Sequence, residues 1–398
     1  MTYEKSMICY DHAEAISGHS LTRSKAPGKM FEIGAGPMYA DHGSGAVVFD
    51  VDGNPFIDMV CALGAVSLGY THHRSAGAAV REIEKGWLYS LPHRVEGEAA
   101  EAILSRVAPW AYRVRFVKTG SEATHAAYRI AKAATGRSHI IVASNAYHGW
   151  HEAVSFETDA ARVSLSGTAW RYKYGVDWSR VTFDYIDPSK VAAVFVEPAR
   201  WEDPNPDGWL ERTAQFWRAR GALVVFDEMI YGCRWALGGA SEYFGVTPDL
   251  ACFGKAIGNG APLACVVGNR VLSEHGQIVS GTYSGDVAAL SACVGVLETY
   301  RHEPVIETLW KRGRQLQRGL RWAIETAGVE AVIEGAPVHQ RILFPNDDDK
   351  QRGRAFCQQM AARGVLFHPD LCNLSYAHTP EQIEQVVEAA AESLKALG

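Results

Sequence analysis

The sequence predicts an α/β fold built on a mainly parallel sheet with helices on both faces. Two observations carry this. From about residue 95 the chain alternates between helix-period and strand-like segments, and the strand-like ones are near-continuous apolar runs, such as VAAVFVEP at 191–198 and ALVVFDE at 222–228. Alternation implies parallel strands joined by crossover helices, and strands apolar throughout imply burial on both faces. The 398 residues, 47% hydrophobic and 21% charged, supply ample material for a core. At ~100–200 residues per domain that is enough for two to three packed units.

Taken in order, residues 1–45 read as an irregular arm with short helical pieces and the Gly-rich stretch FEIGAGPMYADHGSG. AVVFDVDGNPFIDMV follows as a β-hairpin, two β-rich runs turning at Asp52-Gly53-Asn54. EGEAAEAILSRVA is helical and RVRFVKT (113–119) is a strand. SEATHAAYRIAKAAT is a helix with Gly136 just past its end. HIIVAS (139–144), VAAVFVEP and ALVVFDE are further strands. After about 288 the chain turns helical, with short strands near 338–344 and 364–377. It closes on TPEQIEQVVEAAAESLKAL, where Thr379 suits the N-cap, Pro380 the first turn, and Glu381 and Glu384 the positive end of the dipole. The expected division is an arm at 1–45, a large domain at 46–285 (with 46–95 as hairpin and connecting segment) and a small domain at 286–398. The Asp347-Asp348-Asp349 cluster reads as a solvated turn.

The formal net charge is -6, with 39 basic and 45 acidic residues intermixed. This gives no global case for nucleic-acid binding. The eight cysteines form no CxxC pair and stand near no His cluster at zinc spacing, so no metal site is expected; several lie inside apolar runs. They read as buried thiols of a reducing compartment. The N-terminal MTYEKSMICYDHAEAIS lacks the apolar core of a signal peptide, and no run of ~18 apolar residues exists. A cytoplasmic protein is the expectation.

Four segments can carry chemistry. Thr119-Gly120-Ser121-Glu122-Ala123 joins a strand to a helix. Gly120 permits close backbone approach, Ser121 can cap the helix, and free N–H groups then face outward as an anion site. An ordinary Ser cap explains the same residues. ALVVFDE ends in Asp227 and Glu228 at the strand edge where open α/β sheets bind ligands. A carboxylate there can pair with a protonated ring nitrogen, or cap a helix, or hold a metal. Phe253-Gly254-Lys255-Ala256-Ile257-Gly258 sets a lysine among apolar and small neighbours. Desolvation there lowers a lysine's pKa toward the neutral nucleophile, whereas a surface lysine would snorkel to water. Tyr147-His148-Gly149-Trp150 follows a strand, and its aromatic can stack on a planar ring or simply pack.

The order and spacing of these pieces resemble the fold-type I enzymes that use pyridoxal phosphate (PLP). They resemble more closely the class III aminotransferases, and within them the glutamate-1-semialdehyde aminomutase-like branch. The resemblance runs through VFDVDGNPFID, KTGSEAT, YHG, VEP, FDE, FGKAIGNG, GTYSGD and AHTPEQIE, nearly the whole chain. It implies a large domain with a mainly parallel seven-stranded sheet and a smaller α+β C-terminal domain. It implies that Lys255 joins the cofactor as a Schiff base and shuttles protons at the substrate α-carbon, and that Asp227 pairs with the pyridine nitrogen. Gly120 and Ser121 would hold the phosphate and Tyr147 would stack on the ring. Glu197 and His148 fall at family positions near the ring substituents. Thr282, in Gly281-Thr282-Tyr283-Ser284, would reach the phosphate in the neighbouring subunit of a homodimer.

Departures bear on the substrate. Met229 stands where the family often has Val or Ile packed on the ring. HPDLCNLSYAHTPEQ lacks the late Arg with which many class III transaminases grip 2-oxoglutarate. Arg234 can bind an anionic group or be a structural Arg at the domain surface. His93 and Arg94 fall where the family lines the substrate entrance. The aromatic and basic stretch from Trp170 to Trp178 can hold a nucleotide-like or sugar substrate, or be a packed loop. The leading expectation is an aminotransferase or aminomutase acting on a small or sugar-like amino/carbonyl substrate. The alternative is a PLP-dependent decarboxylase of an amino-acid-bearing compound, with a modified nucleoside or base as a candidate. A non-catalytic PLP-binding protein of the same fold would have lost Lys255, Asp227 or the phosphate loop, and none is lost.

Overall fold

The computed structural model describes residues 1–144, 146–155, 169–183, 186–199, 205–347 and 350–397. The chain divides into two compact units, residues 1–72 with 307–398, and residues 73–306. In chain order the strands of the first segment are Ala40–Ser44 (β1), Val47–Asp50 (β2) and Pro55–Asp58 (β3). Those of the central unit are Arg113–Val117 (β4), His139–Ala143 (β5), Ala169–Tyr172 (β6), Val191–Val196 (β7), Leu223–Asp227 (β8), Leu250–Phe253 (β9) and Ala264–Gly268 (β10). The returning segment adds Val332–Ala336 (β11), His339–Leu343 (β12), Val365–Leu366 (β13) and Cys372–Asn373 (β14).

In the first unit, the expected hairpin forms between β2 and β3, with Gly53 at φ 91 in the turn and the Asp50 carboxylate accepting from the backbone N–H of Asp52 and Asn54. Strand β13 pairs in parallel with β3, so the N-terminal and C-terminal segments share one sheet, ordered β1-β2-β3-β13. That pairing helps to join residues 1–72 and 307–398 in one unit. The last helix, Pro380–Lys395, opens on Thr379, whose hydroxyl accepts from the N–H of Gln382. Asp347 caps the helix Gln351–Ala362 by accepting from Arg352 and Gly353, while Asp348 and Asp349 lie outside the described residues.

In the central unit, the seven strands run in the order β4-β10-β9-β8-β7-β5-β6. Strand β10 is antiparallel to β4 and to β9, and every other pairing is parallel. Six strands therefore point the same way and only β10 opposes them. Alternate residues serve opposite faces: Val194 and Val196 of β7 join one core cluster, Ala193 and Phe195 the other. Both faces are covered, which explains why the strands lack polar alternation. Each fully buried Val or Phe contributes ~1.5–3 kcal/mol relative to exposure.

The aromatic stretch at 170–178 packs along the edge of the sheet. It supplies β6 against β5, and Tyr172 and Trp178 are buried, with the Tyr172 hydroxyl donating to the Phe195 carbonyl and the Trp178 indole to Thr213. Among the described residues no disulfide forms and seven of the eight cysteines are buried. No helix among them is long and apolar enough to cross a membrane.

Candidate active site

Because β4, β5, β7, β8 and β9 are codirectional, their C-terminal ends lie on one edge of the sheet. Gly120 follows β4, His148 follows β5, Glu197 follows β7, Asp227 ends β8 and Lys255 follows β9. The chain leaves β5 for β6 on one side and returns to β7 on the other, the kind of switch point at which open α/β sheets bind ligands.

The first component is a helix start whose first N–H groups can receive an anion. The helix Gly120–Thr135 is capped by Thr119: its hydroxyl accepts from the Glu122 N–H at 3.2 Å, and the Glu122 carboxylate accepts from the Thr119 N–H at 2.9 Å. This reciprocal box corrects the expectation that Ser121 caps the helix. Ser121 sits inside the first turn, and its hydroxyl accepts from the Trp150 N–H at 3.2 Å. Gly149 closes the same contact. Its φ is +105, and a Cβ there would meet Ser121 Oγ at 2.6 Å, so only glycine lets the two loops touch.

The second component is an oriented carboxylate. Asp227 is 4% exposed, with one oxygen 2.8 Å from His148 Nδ1 and the other accepting from the Met229 N–H at 3.2 Å. His148 is itself buried against Phe195, and its Nε2 has no hydrogen-bond partner among the described residues. The neighbouring Glu228 points elsewhere: it accepts from the N–H groups of Ala240 and Ser241 at the start of the helix Gly239–Phe244. Burial pushes its carboxyl up to about 7. Of the two strand-end acids, one faces the site and the other anchors a loop.

The third component is the lysine. Lys255 follows an extended Gly254 and has φ +48, a left-handed conformation that costs a non-glycine residue about 1–3 kcal/mol. Enclosure away from water brings its amine down to about 8; Asp227 and Glu197 pull upward, and Arg234 adds to the lowering. Met229 fills the space between the lysine loop and the anion loop. Its sulfur would lie 3.1 Å from a Cβ on Gly120 and 2.6 Å from one on Gly254. The longer thioether is accommodated by glycine on both sides.

Other residues marked in the sequence do different work. Arg234 is wholly buried, not at a surface. His93 caps the helix Arg94–Ala102, and Arg94 pairs with Glu82 and Glu98 at 2.7 and 2.6 Å. Tyr147 is 70% exposed. Thr282 lies on an exposed turn and lines a cleft of about 370 Å3 with His125 and Arg129. Gly149 and Thr124 carry no chemical signature of their own, and reading side-chain chemistry alone passes over them.

The residues present fit pyridoxal phosphate. The helix start offers backbone N–H groups to a phosphate, Asp227 offers a fixed carboxylate to a ring nitrogen, and Lys255 offers an amine of lowered pKa to an aldehyde.

The family model for aminotransferase class-III matches residues 32–167 and 180–394. A glutamate-1-semialdehyde 2,1-aminomutase of Thermomicrobium roseum is 33% identical over 396 residues, covering 91% of this chain and 92% of the relative. A 3-aminobutyryl-CoA aminotransferase of Cloacimonas acidaminovorans is 29% identical, covering 98% and 96%. The FumI protein of Sphingopyxis sp. MTA144, solved in its PLP internal aldimine form, superposes with a TM-score of 0.89 at 26% identity, covering 99% of this chain and 96% of that one.

Proposed function

The chain belongs to the class III aminotransferase family, and on that premise we propose that Lys255, Asp227 and the Gly120–Ser121 helix start form its catalytic site. The protein is a PLP-dependent aminotransferase or aminomutase whose substrate is an amino-acid-like small molecule. The relatives' names favour amino-group chemistry over the decarboxylase alternative.

When bound, pyridoxal phosphate supplies an electron-withdrawing ring that stabilises negative charge at the substrate carbon. The chain's own residues do the rest. Lys255 Nζ, neutral in an appreciable fraction near pH 7, would hold the cofactor's aldehyde and, when free, would serve as the base that takes a proton from the substrate carbon and returns it. Asp227, held by His148 and the Met229 N–H, presents fixed negative charge to the ring nitrogen. The backbone N–H groups of Gly120 and Ser121 would hold the phosphate. Tyr147 would stack on the ring, Met229 would pack against it, and Glu197 would border its substituents.

The observation that carries this reading is the convergence of Lys255, Asp227 and the helix start on one sheet edge. The lack of Arg across 368–382 supports a substrate pair other than glutamate and 2-oxoglutarate, a small or sugar-like compound bearing an amine and a carbonyl. The working unit is a homodimer in which Thr282 of each chain completes the phosphate site of the other; its outward-facing position on an exposed turn supports this. The test is to incubate holoenzyme with candidate amines and follow the cofactor's absorbance. Conversion of the cofactor from aldehyde to amine supports transamination, and return of a labelled amino nitrogen within one substrate supports an amino shift. Release of CO2 with the aldehyde retained overturns both. Lys255→Ala should lose the visible absorption of a lysine-linked cofactor, and its persistence overturns the assignment of Lys255.

A further inference from the structure

Thr124 is 1% exposed in the second turn of the helix that begins at Gly120. Its Oγ1 lies 2.5 Å from the carbonyl oxygen of His148, 3.1 Å from that of Gly120, 3.2 Å from that of Ser121 and 3.3 Å from His151 Nε2. A hydroxyl has one hydrogen to give. The shortest contact marks the His148 carbonyl as its acceptor. The His151 N–H then donates to the hydroxyl oxygen, which fixes the direction of the chain from His151 through Thr124 to His148. His151 is buried and stacked on His125 at 4.9 Å, and burial first, then the nearby His125 and His148, bring it down to about 4. It is a neutral donor at working pH.

The same short segment is tied to the same helix twice more, at its first turn. The Trp150 N–H donates to Ser121 Oγ, and Gly149 rests on Ser121. Within that segment, the His148 main chain is held by Thr124 while its imidazole holds Asp227 at 2.8 Å. One hydroxyl thus links the anion-binding helix start to the carboxylate that faces the ring nitrogen.

We propose that Thr124 is a positioning residue for cofactor binding: it fixes His148 to the helix start, and His148 in turn fixes Asp227. This rests on the reading that the site holds pyridoxal phosphate. An ordinary helix threonine, bonded only to the carbonyl four residues back, would not affect cofactor affinity when its hydroxyl is removed.

The experiment compares Thr124→Val, which keeps the shape, with Thr124→Ser, which keeps the hydroxyl, and Thr124→Cys, which keeps the size with a weak donor. Apoprotein of each is titrated with pyridoxal phosphate, and kcat is then measured at saturating cofactor. Val should weaken cofactor binding on the order of tenfold, the loss of one buried hydrogen bond, and lower kcat at saturation; Ser should stay within about threefold of wild type. Wild-type affinity in the Val variant, or equal weakening by Ser and Val, overturns the proposal. Should Val prevent folding, Ser near wild type with Cys weakened supports it, and any other pattern of those two overturns it. Wild-type apoprotein that takes up no pyridoxal phosphate instead sinks the cofactor reading itself.

Discussion

His148 Nδ1 and the Asp227 carboxylate lie 2.8 Å apart, both side chains buried. A carboxylate held on one side by a ring N–H and on the other by a backbone N–H cannot rotate away from its partner. Preorganised charge of this kind accounts for large rate effects because it needs no rearrangement during reaction. Asp227→Ala should therefore retain the lysine-linked cofactor but lower kcat by about 100-fold or more. His148→Phe should lower it less, since the Met229 N–H still holds one oxygen. Steady-state kinetics with cofactor saturation checked by absorbance separate the two effects. Near-normal turnover in Asp227→Ala would remove it from the mechanism.

Gly149→Ala tests the closeness of the two loops. The φ of +105 strains any side chain, and the new Cβ would lie 2.6 Å from Ser121 Oγ and 2.8 Å from Ser121 Cα. The contact is partly with backbone, so a rotamer change does not relieve it. The loops must part, and the cost is about 1–3 kcal/mol. Cofactor affinity should fall on the order of tenfold or more, with a lower melting temperature. Unchanged affinity in equilibrium dialysis would show that the Ser121–Gly149 contact does not shape the cofactor site.

The sheet and the chemistry were legible because each rests on a strong local signal. Apolar runs such as Val191–Val196 announce buried parallel strands, and Lys255 stands among residues that keep water away. What escaped is non-local. Strand β6 is polar and aromatic, and becomes a strand only through pairing with β5. Strand β1, inside the presumed arm, forms only against β2. Ser121 has the chemistry of a cap, but the Thr119–Glu122 box takes that place two residues earlier. Thr124 reads as an unremarkable helix residue, because its partner His148 is brought to it by the fold.

The proposed exchange of Thr282 between subunits predicts complementation. In a hybrid dimer of Lys255→Ala and Thr282→Ala chains, one site carries both lesions and the other carries neither. Random subunit exchange makes half of the dimers hybrid, so about a quarter of wild-type activity should return. The measurement is activity before and after exchange of the two purified variants. Activity no greater than the sum of the parents would mean that Thr282 does not serve its neighbour's site.

Lys255 sets a pH dependence whose sign is fixed by its surroundings. Enclosure brings the amine to about 8 from the ordinary 10.5, so it is protonated below that point and nucleophilic above it. At pH 7 about a tenth of the amine is neutral, against about three in ten thousand for an unperturbed lysine. The rate at which apoprotein takes up pyridoxal phosphate should rise with pH and level off above about 8. Glu197 favours the charged amine, so Glu197→Gln should move the midpoint to lower pH and speed uptake at pH 7. The pH–rate profiles of wild type and variant decide this. A wild-type midpoint near 10, or an upward shift in Glu197→Gln, would mean that the amine is not held as its enclosure and neighbours require.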